Sequence, residues 1–307
     1  MISGDQATKR QAEMVELHKD VYAYVATQCT WGWSNAGFVV GEECALVVDT
    51  LFTPKLTENF LNQTRAISDK KIKYLVNTHH DGDHCFGNHL LPEAASIAHV
   101  NTRAEILEEG VADARKLGII FPGFDFTGAR FTVPEVGFDG ILTINLGKRQ
   151  LQLLYFGYAH STGDIVVYLP KEKIVFCGDL LFYRSTPACG SAFFASWINA
   201  LTKLAEMDVT TFIPGHGSVT DRAGLLECRD YLTLIYGEAK KGFESGLSPR
   251  ETARQLALGE FIKWANPERV LLNVDRVYRE CRGEKPALLL ERDAIFKEMA
   301  EWRRAGW

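Results

Sequence analysis

Short runs of hydrophobic residues separated by polar turns fill much of the chain before residue 220. Residues 21–26, 37–40 and 45–48 are rich in β-branched and aromatic side chains, and a Gly-Glu-Glu turn separates the last two runs. Such runs predict consecutive β-strands joined by tight turns. Residues 71–77 alternate in character and predict a further strand.

The region after residue 136 repeats this arrangement in outline. Residues 141–145, 149–155, 164–169 and 173–177 predict a second set of strands, and 211–213 a short last one. Helical spacing predicts helices at 54–68, 101–117, 196–207 and over most of the chain after 220, and the polar start at 1–19 is also helix-like.

Two strand-rich halves with helices at their flanks favour a particular layering. Two sheets pack together and helices cover them outside, which is an α/β fold of the αββα four-layer sandwich type. We expect residues 1–220 to form the catalytic domain. We expect residues 221–307 to form a helical C-terminal extension that packs on the same domain.

Histidine and aspartate residues collect just after the predicted strands. The strand at 71–77 leads directly into the run HHDGDH at 79–84. His160 and His216 also follow strands closely, and Asp49 and Asp179 end hydrophobic strands. A rigid sheet can aim several such residues at one point. Imidazole and carboxylate groups at one rim are what divalent metals bind, so the pattern predicts a metal site.

The motifs around these residues resemble those of a known family. The run THHDGDHCFGN at 78–88 is similar to the metallo-β-lactamase superfamily signature T-H-x-H-x-D-H-x-x-G-N. Three later motifs follow in the family's order, with His160 in GYAHSTGD, Asp179 in CGDL and His216 in PGHG. Each motif alone is a weak signal, but four in order are a strong one. The resemblance covers about 21–220 and implies the metallo-β-lactamase fold for the catalytic domain.

The resemblance also implies a dinuclear metal site with seven ligands. His79, Asp81 and His160 would hold one metal, Asp83, His84 and His216 would hold the other, and Asp179 would bridge the two. Asp49 would lie behind the ligands and orient one of them by a hydrogen bond. His80 occupies a variable position of the motif and is not counted as a ligand.

Asp81 departs from the family's motif, which has histidine at this position. With Asp81, Asp83 and Asp179 ionised, two divalent ions and a bridging hydroxide sum to a charge of about zero instead of about +1. Carboxylate oxygen suits iron or manganese better than imidazole does, whereas zinc accepts either ligand. Flavodiiron proteins of the superfamily resemble this chain, because they carry a glutamate here and bind iron. We therefore expect two divalent ions, zinc first and iron or manganese as alternatives; a weak first site with only the second filled remains a further option.

The reaction that the resemblance implies is hydrolysis by a metal-bound hydroxide. The substrate class is an ester, thioester, lactone or amide of a small, rather apolar molecule. Asp81 or Asp83, if released from its metal, would pass a proton to the leaving group. These two residues are therefore the candidate catalytic residues.

Three other functions stay open at this stage. Asp81 motivates a non-haem di-iron oxidoreductase or oxygenase on the same fold. Residues 178–187 are similar to the broad hydrolase, polyketide cyclase and thioesterase branch of the superfamily. A binding protein that has kept the fold and lost the chemistry is the third. Enzymes like glyoxalase II or the lactamases are nearer variants of the hydrolase hypothesis.

Four residues are candidates for the substrate pocket. Trp31 and Trp33 lie on a glycine-containing loop where family members often carry a flap over the substrate, although core packing would explain them equally well. Tyr183 and Arg184 follow the bridging aspartate closely and would reach a substrate from there.

Composition narrows the partners. The net charge of −5 disfavours a nucleic-acid substrate and provides no attraction to an anionic membrane. The N-terminus lacks the apolar segment of a secretory signal, and the seven cysteines are scattered without metal-binding spacing, so we expect a cytoplasmic protein with reduced thiols. Tryptophans in the C-terminal helices favour packing on the core or a homodimer partner.

Overall fold

A computed structural model describes residues 12–26, 29–110, 113–286, 293–304 and 306. The first of its two sheets has seven strands in chain order. They are β1 (Ala12–His18), β2 (Val21–Ala26), β3 (Ala36–Val40), β4 (Ala45–Val48), β5 (Ile72–Val76), β6 (Ala95–His99) and β7 (Val136–Phe138). Strands β1 to β4 pair antiparallel, and β4 to β7 pair parallel.

The second sheet has five strands in the order β12-β11-β10-β9-β8. They are β8 (Ile141–Leu146), β9 (Arg149–Tyr155), β10 (Ile165–Leu169), β11 (Ile174–Phe182) and β12 (Thr211–His216). Only the pair β11 and β12 is parallel, so the two strands point their carboxyl ends at the same rim.

Helices flank the two sheets. The described helices are α1 (Pro54–Ile67), α2 (Gly82–Cys85), α3 (Val100–Glu109), α4 (Ala114–Ile120), α5 (Phe194–Glu206), α6 (Arg222–Glu244), α7 (Pro249–Gln255), α8 (Val270–Cys281) and α9 (Asp293–Arg304). None of the described helices is both long and apolar enough to span a bilayer.

Three buried clusters show the layering. Between the sheets, side chains such as Val48 and Phe176 interdigitate. Phe60 of α1 packs on the outer face of the first sheet, and Trp197 of α5 packs on the outer face of the second. The predicted αββα sandwich is confirmed, because two sheets lie between two helical layers.

Two local predictions were wrong. Residues 12–18 form an edge strand paired with β2 instead of a helix, because backbone pairing outweighs the weak helical preference of this polar stretch. The helix expected at 101–117 is divided into α3, which ends at Glu109 and is followed by Gly110 with a positive φ of 74°, and α4. The rest of the expected N-terminal helix lies outside the described residues.

The C-terminal helices share a core with the second sheet. Leu225 and Leu232 of α6 and Val274 of α8 belong to the same buried cluster as Val175 of β11. The helical stretch begins with α6, whose first turn is capped by the Asp221 carboxylate. The predicted division at residue 220 therefore falls where the chain leaves β12 and enters α6.

Candidate metal centre

The seven predicted ligands lie at one rim of the sandwich, where strands of both sheets end. His79 and Asp81 follow β5, and the single turn of α2 presents Asp83 and His84. His160 comes from the loop between β9 and β10. Two ligands belong to strands themselves, because Asp179 lies within β11 and His216 is the last residue of β12. Both sheets therefore contribute to one site.

These side chains form two groups that could each hold a metal ion. One group is His79, Asp81, His160 and Asp179, and the other is Asp83, His84 and His216. Within each group, the possible ligand atoms all lie within 4.8 Å of one another. The division matches the one that the sequence resemblance implied. The ligand roles themselves stay a prediction.

Asp179 faces both groups with different oxygen atoms. Its Oδ2 lies 3.9 Å from His79 Nε2 and 3.5 Å from His160 Nε2. Its Oδ1 lies 3.1 Å from His84 Nε2 and 3.4 Å from His216 Nε2. Asp179 is therefore within reach of both groups and would be the residue shared between two metals.

Several ligand atoms are buried without a hydrogen-bond partner. They include His79 Nε2, His84 Nε2 and Asp179 Oδ1. A buried polar atom without a partner costs roughly 1–3 kcal/mol, so three at one point require an explanation. Divalent ions bound between these atoms would satisfy all three. The residues therefore fit the metals that the motif implies.

The second group is oriented by buried acceptors. Asp49 Oδ2 accepts from His84 Nδ1 at 2.9 Å, and the same carboxylate accepts from the backbone N–H and hydroxyl of Thr78 at 2.7 Å each. The backbone carbonyl of Trp33 accepts from His216 Nδ1 at 2.9 Å. These contacts hold each imidazole with its Nε2 turned to the site, as metal-ligating histidines require.

The first group is held by a different kind of partner. Asp81 Oδ1 lies 3.3 Å from His80 Nε2, and His80 Nδ1 lies 3.3 Å from Glu105 Oε2 on α3. The other oxygen of Glu105 accepts from the backbone N–H of Thr162 at 3.0 Å, in the loop that carries His160. A chain of charged groups thus links Asp81 through His80 to helix α3. His80 is next to the ligands without pointing at the metal site.

Burial and neighbouring charges set the protonation of the ligands. Burial alone would raise the pKa of Asp179, but the imidazoles of His216 and His84 outweigh it and hold that pKa well below its usual range. Burial would also raise the pKa of Asp81, but His80 and His160 outweigh burial and hold that pKa well below normal. Burial lowers the pKa of His79, with help from His84. Asp179, Asp81 and His79 are therefore in the forms that bind metal. At His84 and His216 the Asp179 carboxylate outweighs burial and raises the pKa instead.

The same balance charges His80. Burial would lower its pKa, but the carboxylates of Asp81 and Glu105 outweigh burial and raise the pKa to about 9. His80 is therefore an imidazolium between two carboxylates at neutral pH. It offsets part of the additional negative charge that Asp81 brings to the site.

A small cavity opens onto the ligands. Asp81, Asp83, Asp179 and His216 line it on one side. Aromatic and aliphatic side chains line the other side, namely Trp31, Phe52, Phe121, Leu272 and Phe296. A mostly apolar wall facing a cluster of polar ligands is the usual form of a small-molecule site.

The four predicted pocket residues lie in different environments. Trp31 lines the cavity. Trp33 is buried, with its ring 6.0 Å from that of Phe124, and its backbone serves His216. Tyr183 and Arg184 do not line this cavity, and the Arg184 guanidinium lies 5.3 Å from the Tyr183 ring. Of the four, only Trp31 is placed to meet a substrate here.

Arg269 is a site residue that the sequence did not indicate. It precedes α8, is 2 % exposed and lines the same cavity as the ligands. Its Nη1 donates to the carbonyl of Thr186 at 2.8 Å, and its guanidinium lies 4.0 Å from the Trp31 ring centroid. Its Nε is buried and has no hydrogen-bond partner. A lone arginine about fifty residues beyond the last motif carries no signal that a sequence could reveal.

Two backbone positions fix the ligands sterically. Asp49 adopts a left-handed conformation with φ of 59°, which aspartate tolerates better than most residues and which turns its carboxylate toward Thr78. Gly215 of β12 packs against β11, where a Cβ atom would overlap Oδ1 of Asp179. The position of the shared carboxylate therefore depends on the absence of a side chain at residue 215.

Comparison with known proteins agrees with this geometry. The sequence model of the metallo-beta-lactamase superfamily matches residues 29–216. A type 2 metallo-beta-lactamase from Bacteroides fragilis is 28% identical over 213 residues, which cover 66% of this chain and 78% of that protein. A hydroxyacylglutathione hydrolase from Brucella ovis is 26% identical over 203 residues, which cover 63% and 69% of the two chains.

A solved structure gives the same fold. The metallo-beta-lactamase from Pontibacter korlensis superposes with a TM-score of 0.61 at 22% identity, covering 73% of this chain and 99% of that one. The family match spans more than half of the chain and includes all seven residues of the two ligand groups. The chain therefore belongs to the metallo-beta-lactamase superfamily.

Proposed function

We propose that this protein is a metal-dependent hydrolase that cleaves an ester, thioester, lactone or amide bond in a small, largely apolar molecule. One observation carries the proposal. Seven histidine and aspartate side chains converge in two groups, and the two carboxylate oxygens of Asp179 face different groups. The similarity to a hydrolase named for an acylglutathione substrate supports acyl-group hydrolysis as the reaction.

The proposed cofactor is a pair of divalent ions, one for each ligand group. Zinc is our first choice, because it accepts both imidazole nitrogen and carboxylate oxygen, and iron and manganese are alternatives that Asp81 favours. When bound, such ions supply a water molecule of lowered pKa and polarise the carbonyl group under attack.

Residues of the chain would position the ligands, transfer a proton and stabilise negative charge. Asp49 holds His84 in place, and the Trp33 carbonyl does the same for His216. Asp81 and Asp83 both line the cavity, so either carboxylate, once released from its metal, would be placed to pass a proton to the leaving group. The buried cation of Arg269 lies on the same cavity and would stabilise negative charge that develops on the substrate.

The cavity wall supports a largely apolar substrate. Trp31, Phe52 and Phe121 present ring surface opposite the ligands, and Leu272 and Phe296 continue it. Burying such a surface against an apolar group contributes about 25 cal/mol per Å². The polar ligands then fix the position of the labile bond, while the wall binds the remainder of the molecule.

The test combines metal analysis with turnover. Purified protein is expected to contain up to two divalent ions per chain and to hydrolyse activated esters or thioesters. His216→Ala should lose metal from the second group and lose activity while keeping its circular dichroism spectrum. The matched control is His18→Ala, which removes an exposed histidine of β1. Full activity in His216→Ala would refute the proposal.

Asp81 favours a second candidate, a di-iron oxidoreductase or oxygenase on the same fold. Its carboxylate occupies a histidine position and lies 3.0 Å from His160 Nε2, within the first ligand group. Protein expressed without added zinc would then contain iron and show a visible absorption band. Tight zinc together with esterase turnover would exclude this function. A polyketide cyclase or thioesterase activity is a narrower form of the hydrolase proposal, which rests on residues 178–187.

A further inference from the structure

A second, larger cavity adjoins the metal centre. We call it the outer chamber; it has a volume of about 300 Å³, whereas the cavity at the ligands, the inner chamber, has about 60 Å³. Side chains of α4 and α9 form most of its wall, and Trp31 and Glu268 complete it. A volume of about 300 Å³ lies at the lower end of the range for small-molecule sites.

The two chambers share a wall. Trp31 and Phe296 line both of them, with their ring centroids 5.7 Å apart in an edge-to-face arrangement. Phe121 lies 6.2 Å from each of these rings and faces the inner chamber. Trp31 is fixed on two sides, because its Nε1 donates to Glu268 at 3.3 Å and Arg269 covers its ring. A molecule bound across this aromatic wall would contact both chambers at once.

The outer chamber is apolar inside and basic at its edge. Ile119, Ile120 and Met299 contribute hydrocarbon surface, and Ile119 is 72 % exposed. Three exposed cations stand in its lining, namely Lys116, Lys297 and Arg303. Its one lining carboxylate, Glu268, is buried and engaged with Trp31. Among the described residues, no ion pair involves any of the three cations.

We propose that the outer chamber binds the apolar body of the substrate and that its rim cations bind an anionic group at the far end. The proposal rests on the proposed function in one respect, namely that the bond to be cleaved lies in the inner chamber. The substrate is then an acyl compound with a hydrocarbon chain and a terminal anion such as a carboxylate. The shared aromatic wall holds the first part of that chain, and helices α4 and α9 hold the rest.

Binding of product-like carboxylates tests the proposal without requiring turnover. Calorimetric titrations of the metal-loaded protein would use butanoate, octanoate and decanoate. Each methylene that becomes buried should increase the affinity by up to about fourfold. The increase should persist after the metals are removed with a chelator, because no proposed metal ligand lines the outer chamber. Affinity that does not depend on chain length would overturn the proposal.

A second pair of ligands isolates the anionic end. Decanedioate and 10-hydroxydecanoate both have ten carbons and one common carboxylate, and at the far end the first carries a second carboxylate and the other a neutral hydroxyl. The dianion should bind several-fold more tightly at low salt, and the difference should shrink as ionic strength rises. In the triple variant Lys116→Gln, Lys297→Gln, Arg303→Gln the two ligands should bind nearly equally. Equal binding to the unchanged protein would refute the anionic end group.

A filling substitution tests the location. Ala300→Trp places an indole in the outer chamber and should abolish the gain from butanoate to decanoate while leaving the metal content unchanged. Ala294→Trp is the matched control, because it makes the same change at an exposed position of α9 that does not line the chamber. Wild-type decanoate affinity in Ala300→Trp would overturn the proposal. Absence of ester hydrolysis would refute the proposed function alone, because the binding measurements do not depend on it.

Discussion

The two ligand groups of the metal centre differ in what holds them. In the second group, the imidazoles of His84 and His216 donate to fixed acceptors, the Asp49 carboxylate and the Trp33 carbonyl. In the first group, Asp81 is a carboxylate and is 30 % exposed, and a charged histidine, His80, stands behind it.

The difference follows from hydrogen-bond chemistry. A histidine ligand has a free N–H that needs an acceptor, whereas an ionised carboxylate ligand has a free oxygen that needs a donor. His80 places a charged imidazolium 3.3 Å from that oxygen, and Glu105 on its other side helps to keep the imidazolium charged. A change from a histidine ligand to a carboxylate ligand therefore also requires a change in the residue that supports the ligand. The second group is independent of helix α3, but the first is linked to it.

Removing the shared carboxylate should have the largest effect, because it alters both groups together. Asp179→Asn replaces one ligand oxygen by an amide nitrogen and removes a charge from between the groups. We expect metal content near zero and a loss of activity beyond the roughly 10- to 100-fold typical of a supporting residue. Elemental analysis and ester turnover would measure it. Asp208→Asn, at an exposed ion pair with Lys173, is the control. Two retained metals would contradict the bridging role.

Substitutions of the supporting carboxylates should affect the metal affinity of the two groups separately. Asp49→Asn removes the charge behind His84, and Glu105→Gln removes the charge behind His80. Asp49→Asn should weaken metal binding by roughly 10- to 100-fold at the second ligand group. Glu105→Gln should have an effect of the same size at the first ligand group. Stepwise competition with a chelator would resolve the two affinities. If both variants weaken the same step, the comparison between the groups fails.

Restoring the family's histidine should shift metal preference by a smaller amount. Asp81→His removes one negative charge and adds an imidazole, so affinity for zinc relative to manganese should rise by about tenfold, or roughly 1.4 kcal/mol. His80 would then face a histidine and keep only Glu105 of its two carboxylate partners. Adding His80→Gln should therefore cost less in the Asp81→His protein than in the wild type. An unchanged zinc-to-manganese ratio would show that Asp81 is not a ligand.

The smallest effect is expected at Trp33. Its backbone carbonyl orients His216, but its side chain is buried beside Phe124 and does not line the cavity. Trp33→Phe should cost roughly 1 kcal/mol of unfolding free energy and change kcat/KM by less than about threefold. Thermal denaturation and steady-state kinetics would measure both. A large rise in KM would restore Trp33 to the substrate pocket.

The sequence was most informative where chemistry and local pattern coincide. Strand-end positions of His79, His160 and His216 could be read from hydrophobic runs that stop just before them. The charge consequence of Asp81 also followed from the motif alone. The αββα layering was predictable for the same reason, because alternating strands and helices permit few arrangements.

Features that depend on distant packing could not be predicted. Glu105 reaches His80 only because α3 packs beside the loop that carries Thr162. Arg269 reaches the ligands only because the C-terminal helices fold back onto the second sheet. The edge strand β1 was missed because its residues favour neither structure strongly, and pairing with β2 decides.

The site requires more than its donor atoms, because it also requires a residue without a side chain at position 215. Since a side chain there would push the shared carboxylate out of place, a descendant of this protein would be expected to lose metal binding without changing any of the seven proposed ligands. Genome surveys that identify active relatives by their histidines and aspartates alone would count such proteins as enzymes. We expect the residue before the last histidine to separate working relatives from inactive ones.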